Sequence, residues 1–557
     1  MTWVHEYRRE WLRADVVAGL TTAAVVLPKA MAYATIAGLP VEVGLYTVLI
    51  PMAVYAMLGS SRPLSVSTTT TIAILTATEL TQAVPNANGA GLLKAACTLG
   101  LLVGAFLVVA SILKLGFIAN FISDPVLAGF KAGIGLVVIA DQLPKLLGIH
   151  VGREPLLRKL LSILQHVSEI SVPTLVLAVV TLAIVFGVEK WLPRVPAVLL
   201  AVAIAIACFS LLKLQNLGVE AMGTVPAGFP QLLAPDLSLV RVLWSGALGI
   251  ALMSFTESVA AGRAFVGQGE PRPNPDQELR AVGLANLAGA LFRAMPAGGG
   301  TSQTAVNRKA GARTQMSELV TAAAAAATLL FLAPVIGLMP QAALAAVVIA
   351  TNVGLLSPAE FLKIRAIRKT EFRWALVALA GVVLFGSLQG IVVAVVASLL
   401  GLLYETNHPS VYVLGRKPGT DVFRPLSSEH KSDETFPGVL ILRTEGRVYF
   451  ANAQRIGDKM WPMVHDAKPR VVLFDCSAIP DIEYTALKML TDAEEKLRQE
   501  GISLRLAALN PAALLMIQRS SLGEVFGRLR MYSNLQQAVE AHQTQIGKEG
   551  PSEANNG

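Results

Sequence analysis

Charge is scarce in this sequence. Asp, Glu, Lys and Arg make up 15% of its 557 residues, against about 25% in a soluble globular chain. Cysteine is scarcer: Cys97, Cys208 and Cys476 are the only three. They show neither a disulfide framework nor metal spacing, so all three read as structural. No nucleophile–base set, metal-ligand cluster or Gly-rich nucleotide loop stands out. An enzyme is therefore not expected, and no catalytic residue, metal ligand or cofactor site is assigned. The start, MTWVHEYRREWLRADVV, is charged and lacks the pattern of a cleavable signal.

What fills the chain is apolar: 54% hydrophobic residues, with a mean hydropathy of +0.57. This is the composition of a polytopic membrane protein. Apolar runs recur from about residue 15 to about residue 404. The expected spans are 15–37, 43–59, 68–82, 91–113, 120–142, 173–189, 196–213, 240–262, 278–292, 301–311, 317–336, 341–355, 373–388 and 389–404. Two of the fourteen, 68–82 and 301–311, are too short or too polar for ordinary spanning helices.

The first 404 residues hold 28 basic and 19 acidic side chains, the remainder 18 and 19. The whole basic excess thus lies in the apolar part. Cytoplasmic loop anchoring explains it better than nucleic-acid binding, and no nucleic-acid partner is expected. With a cytoplasmic N-terminus, the inside loops hold Arg62, Lys114, Lys190, Arg194, Arg263, Arg272, Arg308, Lys309, Arg313 and the run from Lys363 to Arg373. The stretch with Lys145, Arg153, Arg158 and Lys159 is the exception, because it falls outside. An even span count returns the C-terminal part to the cytoplasm. The expected location is the cell (inner) membrane.

After residue 404 the pattern changes. GVLILRTEG, PRVVLFDCSAI and ISLRLAAL have the character of strands, while TALKMLTDAEEKLRQEG and PAALLMIQRSSLGEVFG have helical spacing. Alternating strand and helix predicts a compact α/β domain. The expected division is a cytoplasmic segment 1–14, a membrane domain 15–404, an α/β domain 405–543 and a disordered tail 544–557.

The two weak spans carry the functional signal. One opens PLSVSTTTTIAIL and the other PAGGGTSQTAVN, each third in a set of seven. Paired interrupted spans at matching places point to an inverted-repeat transporter. Two facing helix N-termini offer unpaired N–H groups and positive dipole ends, which suit an anion. Either segment alone is explained as well by close packing of small residues. Of the charges inside spans, two stand out: Lys29 directly after Pro28, and Glu257 in FTES. A lone lysine at a helix centre costs about 2.5–3.5 kcal/mol on insertion scales, so an intramembrane charge asks for a function.

The stretches LPKAMAYATIAGLPVEVGLY, GSSRPLSVS, PVLAGFKAGIG, QLPKLLGI, NPDQELRAVGLANLAGAL and TSQTAVNRKAGARTQ, in that order, resemble the sulfate permease (SulP) family, which includes the prestin-like anion transporters. VYFANAQRI and DIEYTALKML resemble its cytoplasmic STAS domain. The resemblance implies a polytopic α-helical fold of fourteen segments in two inverted repeats of seven. Segments 1–4 and 8–11 form a core, segments 5–7 and 12–14 a gate, and a STAS domain follows. It also implies a homodimer in the lipid bilayer and a small inorganic or carboxylate anion bound between the starts of segments 3 and 10, beside segment 1.

Carried onto this chain, the substrate-binding candidates are Lys29 and Tyr33, then Thr68 and Thr69, then Thr301, Ser302 and Gln303. Tyr33 shares a helix face with Lys29. The chain departs from the family at complementary places. Family members carry a neutral polar residue at position 29 and Arg at position 303, where this chain has Lys29 and Gln303. Lys29 then reads as a relocated cation for the anion, with pairing to Glu257 as the rival. Glu257 is the candidate for a coupling proton or Na⁺, with a fixed ion pair as its alternative. Asn286 and Asn307 read as helix–helix hydrogen-bonding residues. Asn274 and Pro275 read as a helix start. Thr485 is the regulatory candidate: it occupies the phosphoacceptor place of STAS-like anti-sigma antagonists, but Glu483 and Ala486 flank it where Asp and Gly are usual, which favours a structural helix cap and a dimer or regulatory role over phosphorylation. The expected function is secondary active transport of a sulfate-, bicarbonate-, chloride- or dicarboxylate-class anion, by symport or exchange. An anion channel and a membrane-tethered signalling protein acting through the STAS domain are the alternatives.

Overall fold

The computed structural model describes residues 2–85, 89–120, 123–149, 151, 156–192, 195–267, 270–527 and 529–549. Arg153 and Arg194 lie outside the described residues. The chain forms two compact units, 1–399 and 400–557, and the boundary falls within one helix.

The first unit is helical. It opens with the short α1 (Thr2–His5), then α2 (Leu12–Ile36), α3 (Val41–Leu58), strand β1 (Val66–Ser67), α4 (Thr70–Ala83), α5 (Ala90–Ile112) and α6 (Asp124–Leu147). Next come α7 (Leu156–Gln165), α8 (Val172–Trp191), α9 (Ala197–Leu211), α10 (Val240–Ala264) and α11 (Pro275–Leu291). Strand β2 (Gly298–Gly299), α12 (Thr301–Lys309), α13 (Met316–Ala327) and α14 (Ala333–Gly337) follow, the last two joined by a π turn at Thr328–Leu332. α15 (Gln341–Leu356), α16 (Pro358–Ile367), α17 (Lys369–Phe385) and α18 (Ser387–Thr406) close the series.

All fourteen expected stretches coincide with one or more of these elements. Among the described residues, eight helical segments are long and apolar enough to cross a membrane. Two helices were not expected. α7 has a one-sided apolar face, with Leu161 and Leu164 exposed, and Lys159 pairs with Asp141 of α6. α16 precedes α17 as a separate short helix, because Arg368 between them adopts an extended backbone.

Local chemistry sets the ends. Gly148 closes α6 in the left-handed conformation (φ 70°), which glycine adopts without a Cβ penalty. Asn274 caps α11 by accepting from the Asp276 and Gln277 N–H groups, with Pro275 as the first helical residue, as its sequence predicts. Packing divides the helices into two groups. α5 lies against α10 and α11, and α13 against α2 and α3; α6 lies against α15 and α17, and α8 against α9 and α15. α2 touches both groups, through α12 and α13 on one side and α9 and α15 on the other.

The second unit is α/β. Its strands are β3 (Val411–Arg416), β4 (Phe423–Pro425), β5 (Val439–Thr444), β6 (Val471–Asp475), β7 (Ser503–Ala507) and β8 (Met531–Tyr532). Its helices are α19 (Ala453–Ala467), α20 (Tyr484–Gln499), α21 (Pro511–Gln518), α22 (Ser521–Phe526) and α23 (Leu535–Glu549). The sheet order is β4-β3-β5-β6-β7-β8, with β5 to β8 parallel and β3 antiparallel at one side. Side chains alternate between faces: Leu440, Leu442, Val472 and Phe474 join one apolar cluster, Ile441 and Leu473 the other. The three expected strands are β5, β6 and β7. β4 and β8 escaped because they are edge strands of only three and two residues; β3 has the apolar run VYVL but is not among the expected strands. The tail expectation is corrected in part. α23 continues to Glu549, since AHQTQIGKE has adequate helix formers and Ala538 and Val539 are anchored in the core. Residues 550–557 lie outside the described residues.

Candidate functional site

Pro28 breaks the ladder of α2, because it has no N–H to give the preceding turn. Lys29 follows it. The side chain is half-buried and makes no hydrogen bond or ion pair among the described residues. The acidic group that faces it is Glu189 on α8, not Glu257.

β1 and β2 pair antiparallel, Val66 opposite Gly299 and Ser67 opposite Gly298. This brings the two interrupted segments together, each strand leading into a half-helix. Two glycines make the approach possible. A Cβ on Gly299 would lie 2.7 Å from the Ser258 Cα, and one on Gly298 2.7 Å from the Ser254 Oγ. α10 can therefore press directly on β2. Ser258 Oγ accepts from the Gly299 N–H (2.7 Å), and Ser254 Oγ donates to the Ala297 carbonyl (2.7 Å). Asn286 completes the clamp: its amide donates to the Val282 and Ala297 carbonyls and accepts from the Ala297 N–H. The helix–helix role expected of Asn286 is thus played toward the β2 segment. Asn307 likewise donates to the Pro63 carbonyl and accepts from Thr22.

At the start of α4, Thr69 is the cap. Its hydroxyl accepts from the Ile72 N–H and donates to Glu257 Oε2 at 2.8 Å. Thr71 donates to Glu257 Oε1 at 2.9 Å. Glu257 is buried, and both its oxygens are held by threonine hydroxyls. Thr68 is also buried, and its hydroxyl has no partner among the described residues. At the start of α12, no side chain caps Gly300. Thr301 and Ser302 are exposed. Gln303 is buried and turned back: Nε2 donates to the Ser65 carbonyl (3.0 Å), and Oε1 accepts from Ser67 (3.0 Å). Tyr33 is buried with Thr70, Thr351 and Glu257 facing its hydroxyl.

The structure therefore gathers Tyr33, Thr68, Thr69, Gln303 and Glu257 around one strand crossing, with Lys29 on the helix that packs against both α4 and α12. Sequence reasoning missed Ser65, Ser67 and Thr71. They lie in the quoted PLSVSTTTT run, but only the pairing of β1 with β2 gives them partners. Thr485 belongs to the second unit. It is exposed at the second position of α20, and Glu483 ahead of it accepts from the Phe450 N–H instead of capping the helix.

Two half-helices that begin at one strand pair, inside an apolar helical unit followed by an α/β unit, define the class: a polytopic membrane protein of the inverted-repeat kind. Residues 12–378 match the Sulfate permease family and residues 430–538 the STAS domain. The chain belongs to the sulfate permease family, a family of anion transporters. It is 34% identical over 542 residues to a probable sulfate transporter of Mycobacterium tuberculosis (strain H37Rv), covering 96% of each chain. It is 30% identical over 570 residues to probable sulfate transporter 3.4 of Arabidopsis thaliana, covering 97% of this chain and 86% of that one. Among solved structures it shares the fold of the murine Solute Carrier 26 family member A9 in its inward-facing state, with a TM-score of 0.87, 20% identity and coverage of 98% and 93%. The transmembrane domain of a cyanobacterium bicarbonate transporter, BicA, gives a TM-score of 0.59 at 23% identity, covering 71% of this chain and 98% of that one.

Proposed function

We propose that the protein is a secondary active transporter of a small inorganic or carboxylate anion, held between the starts of α4 and α12 beside α2. One observation carries the reading. Two helix N-termini meet at the β1–β2 pair, and the only nearby side-chain cation on α2, Lys29, has no partner among the described residues. Oriented N–H groups and two positive dipole ends attract an anion. The unpartnered Thr68 hydroxyl, the exposed Thr301 and Ser302, and Lys29 supply donors. Gln303 spends its amide on Ser65 and Ser67, so it contributes shape and no charge. Lys29 takes the cationic role, which its lack of an ion pair to Glu257 supports.

In this reading the fourteen segments cross the bilayer, with both ends and the STAS domain cytoplasmic. The group built on α5, α10 and α11 moves against the group built on α6, α15 and α17 to alternate access. The protein works as a homodimer. Glu257, beside the site, is the candidate for a coupling proton or Na⁺. Uptake of labelled sulfate, bicarbonate, chloride and a dicarboxylate into proteoliposomes tests the function. Lys29→Gln should reduce uptake of the transported anion at least tenfold, the loss of about 1.4 kcal/mol or more of transition-state or binding energy. Uptake equal to wild type removes Lys29 from the site.

A further inference from the structure

Glu318 on α13 is fully buried. Its Oε2 accepts from the Ser65 hydroxyl at 2.9 Å, and its Oε1 has no partner among the described residues. A buried carboxylate left with an unpaired oxygen is costly; a proton removes the charge. Among the described residues Glu318 has no ion pair. Asp15 on α2 accepts from the Arg313 and Thr314 N–H groups and the Thr314 hydroxyl. Glu278 on α11 accepts from Tyr55 of α3, from Ser60 and from the Ser61 N–H. Arg62 pairs with Glu6, and Arg308 with Glu270. Asp15 and Glu278 thus have their own donors, both arginines have their own acids, and the Tyr55 phenol is the ionisable group in electrostatic reach of Glu318.

A second unpartnered group lies one helical turn away. Gln315 is fully buried, and its Nε2 donates to the carbonyls of Ser61, Arg62 and Leu64. Those three acceptors fix which end of the amide is nitrogen. Its Oε1 is left without a donor. Residues three apart on a helix are neighbours. A proton on Glu318 Oε1 turns that unpaired acceptor into a donor, three positions along the chain from the Gln315 oxygen that lacks one.

The same carboxyl is wired to the candidate anion site. Ser65 donates to Glu318 through its hydroxyl, and its carbonyl accepts from Gln303 Nε2 and from the Gly300 N–H. Its own N–H donates to Thr304 of α12. Ser65 therefore ties Glu318 to the first turn of α12. An ionised Glu318 would place a negative charge behind the helix start that faces the anion.

We propose that Glu318 is a proton-binding site linked to the anion site through Ser65 and Gln303, so that the protonated carboxyl favours bound anion and the carboxylate opposes it. This rests on the reading of the protein as an anion transporter. The step is proton binding alone: Oε1 takes H⁺ from water and returns it. By linkage, each ligand raises the affinity of the other by the same factor.

The test uses the full chain in proteoliposomes, with labelled sulfate, bicarbonate, chloride and a dicarboxylate as probes and the half-saturating concentration measured from mildly acidic to mildly alkaline pH. In wild type, the half-saturating concentration of the transported anion should rise with pH, by about tenfold per pH unit at most for one linked proton. Glu318→Gln mimics the protonated carboxyl. It should keep the acid-side value and lose the rise. Ser65→Ala removes the hydroxyl that favours the carboxylate, so it should move the rise to higher pH and serves if Glu318→Gln does not fold. A wild-type value independent of pH, or a rise that persists in Glu318→Gln with its pH midpoint unmoved in Ser65→Ala, overturns the proton site and leaves the transporter reading standing. A dependence on sodium in place of pH, abolished by Glu318→Gln, overturns it in favour of a metal cation. A wild type that carries none of the probes overturns both readings.

Discussion

In the proposed anion site, Lys29 takes the cationic role that the family resemblance implies for position 303. Gln303 is satisfied by a backbone carbonyl and a serine, so replacing it with Arg puts a cation where an amide bridge now stands. In the Lys29→Gln background, Gln303→Arg should restore at least part of the lost uptake. No recovery would mean that the two positions do not share one anion. A different residue-scale expectation concerns Cys476. Burial among apolar side chains, with Asp475 adjacent, pushes its thiol well above the ordinary range. The thiolate is the reactive form. Maleimide should therefore leave Cys476 unmodified in the folded protein at mildly alkaline pH and label it in denaturant. Lys29 and Glu257 were visible in the sequence as charges within apolar runs. Glu318 was passed over, because its unpaired oxygen appears only once Ser65, some 250 positions earlier in the chain, is its neighbour.

At the scale of elements, the strand pair decides what the half-helices do. Gly299→Ala would bring a methyl group within 2.7 Å of the Ser258 backbone. Overpacking of this kind costs about 1–3 kcal/mol. The variant should melt at a lower temperature and lose uptake more than stability, since the clash falls between β2 and α10. Unchanged melting and uptake would show that β2 can shift freely. In the second unit, Arg443 holds the buried Asp475 across β5 and β6 at 2.6 Å. Asp475→Ala leaves that arginine partly buried and unpaired, which costs about 3 kcal/mol. Chemical denaturation followed by a probe in the α/β unit measures it. The broken spans were legible because hydroxyl and glycine runs contrast with their apolar neighbours. α7 and α16 were not, because neither is long or uniformly apolar.

At the scale of the whole molecule, each unit holds its own apolar core. Removing residues 405–557 should leave measurable anion uptake, though at a reduced level. A complete loss in a truncated protein that still inserts and remains monodisperse in detergent would favour the alternative in which the STAS domain carries the activity.

The sequence by itself determined the class. Apolar runs, a basic excess confined to them and a strand–helix alternation after residue 404 require an apolar helical unit and a separate α/β unit, because burial in lipid and burial in a small core demand different compositions. It also exposed the paired breaks and the two intramembrane charges, since contrast with neighbours is a local property. Only the tertiary structure decided who answers those charges. Threonine hydroxyls at the start of α4 hold Glu257, Lys29 has no ion pair among the described residues, and Ser65 joins Gln303 to Glu318. Hydrogen bonds are short-ranged and directional. Their partners lie hundreds of positions apart, and no periodicity in the chain records which pairs the folding of two repeats will bring within 3 Å.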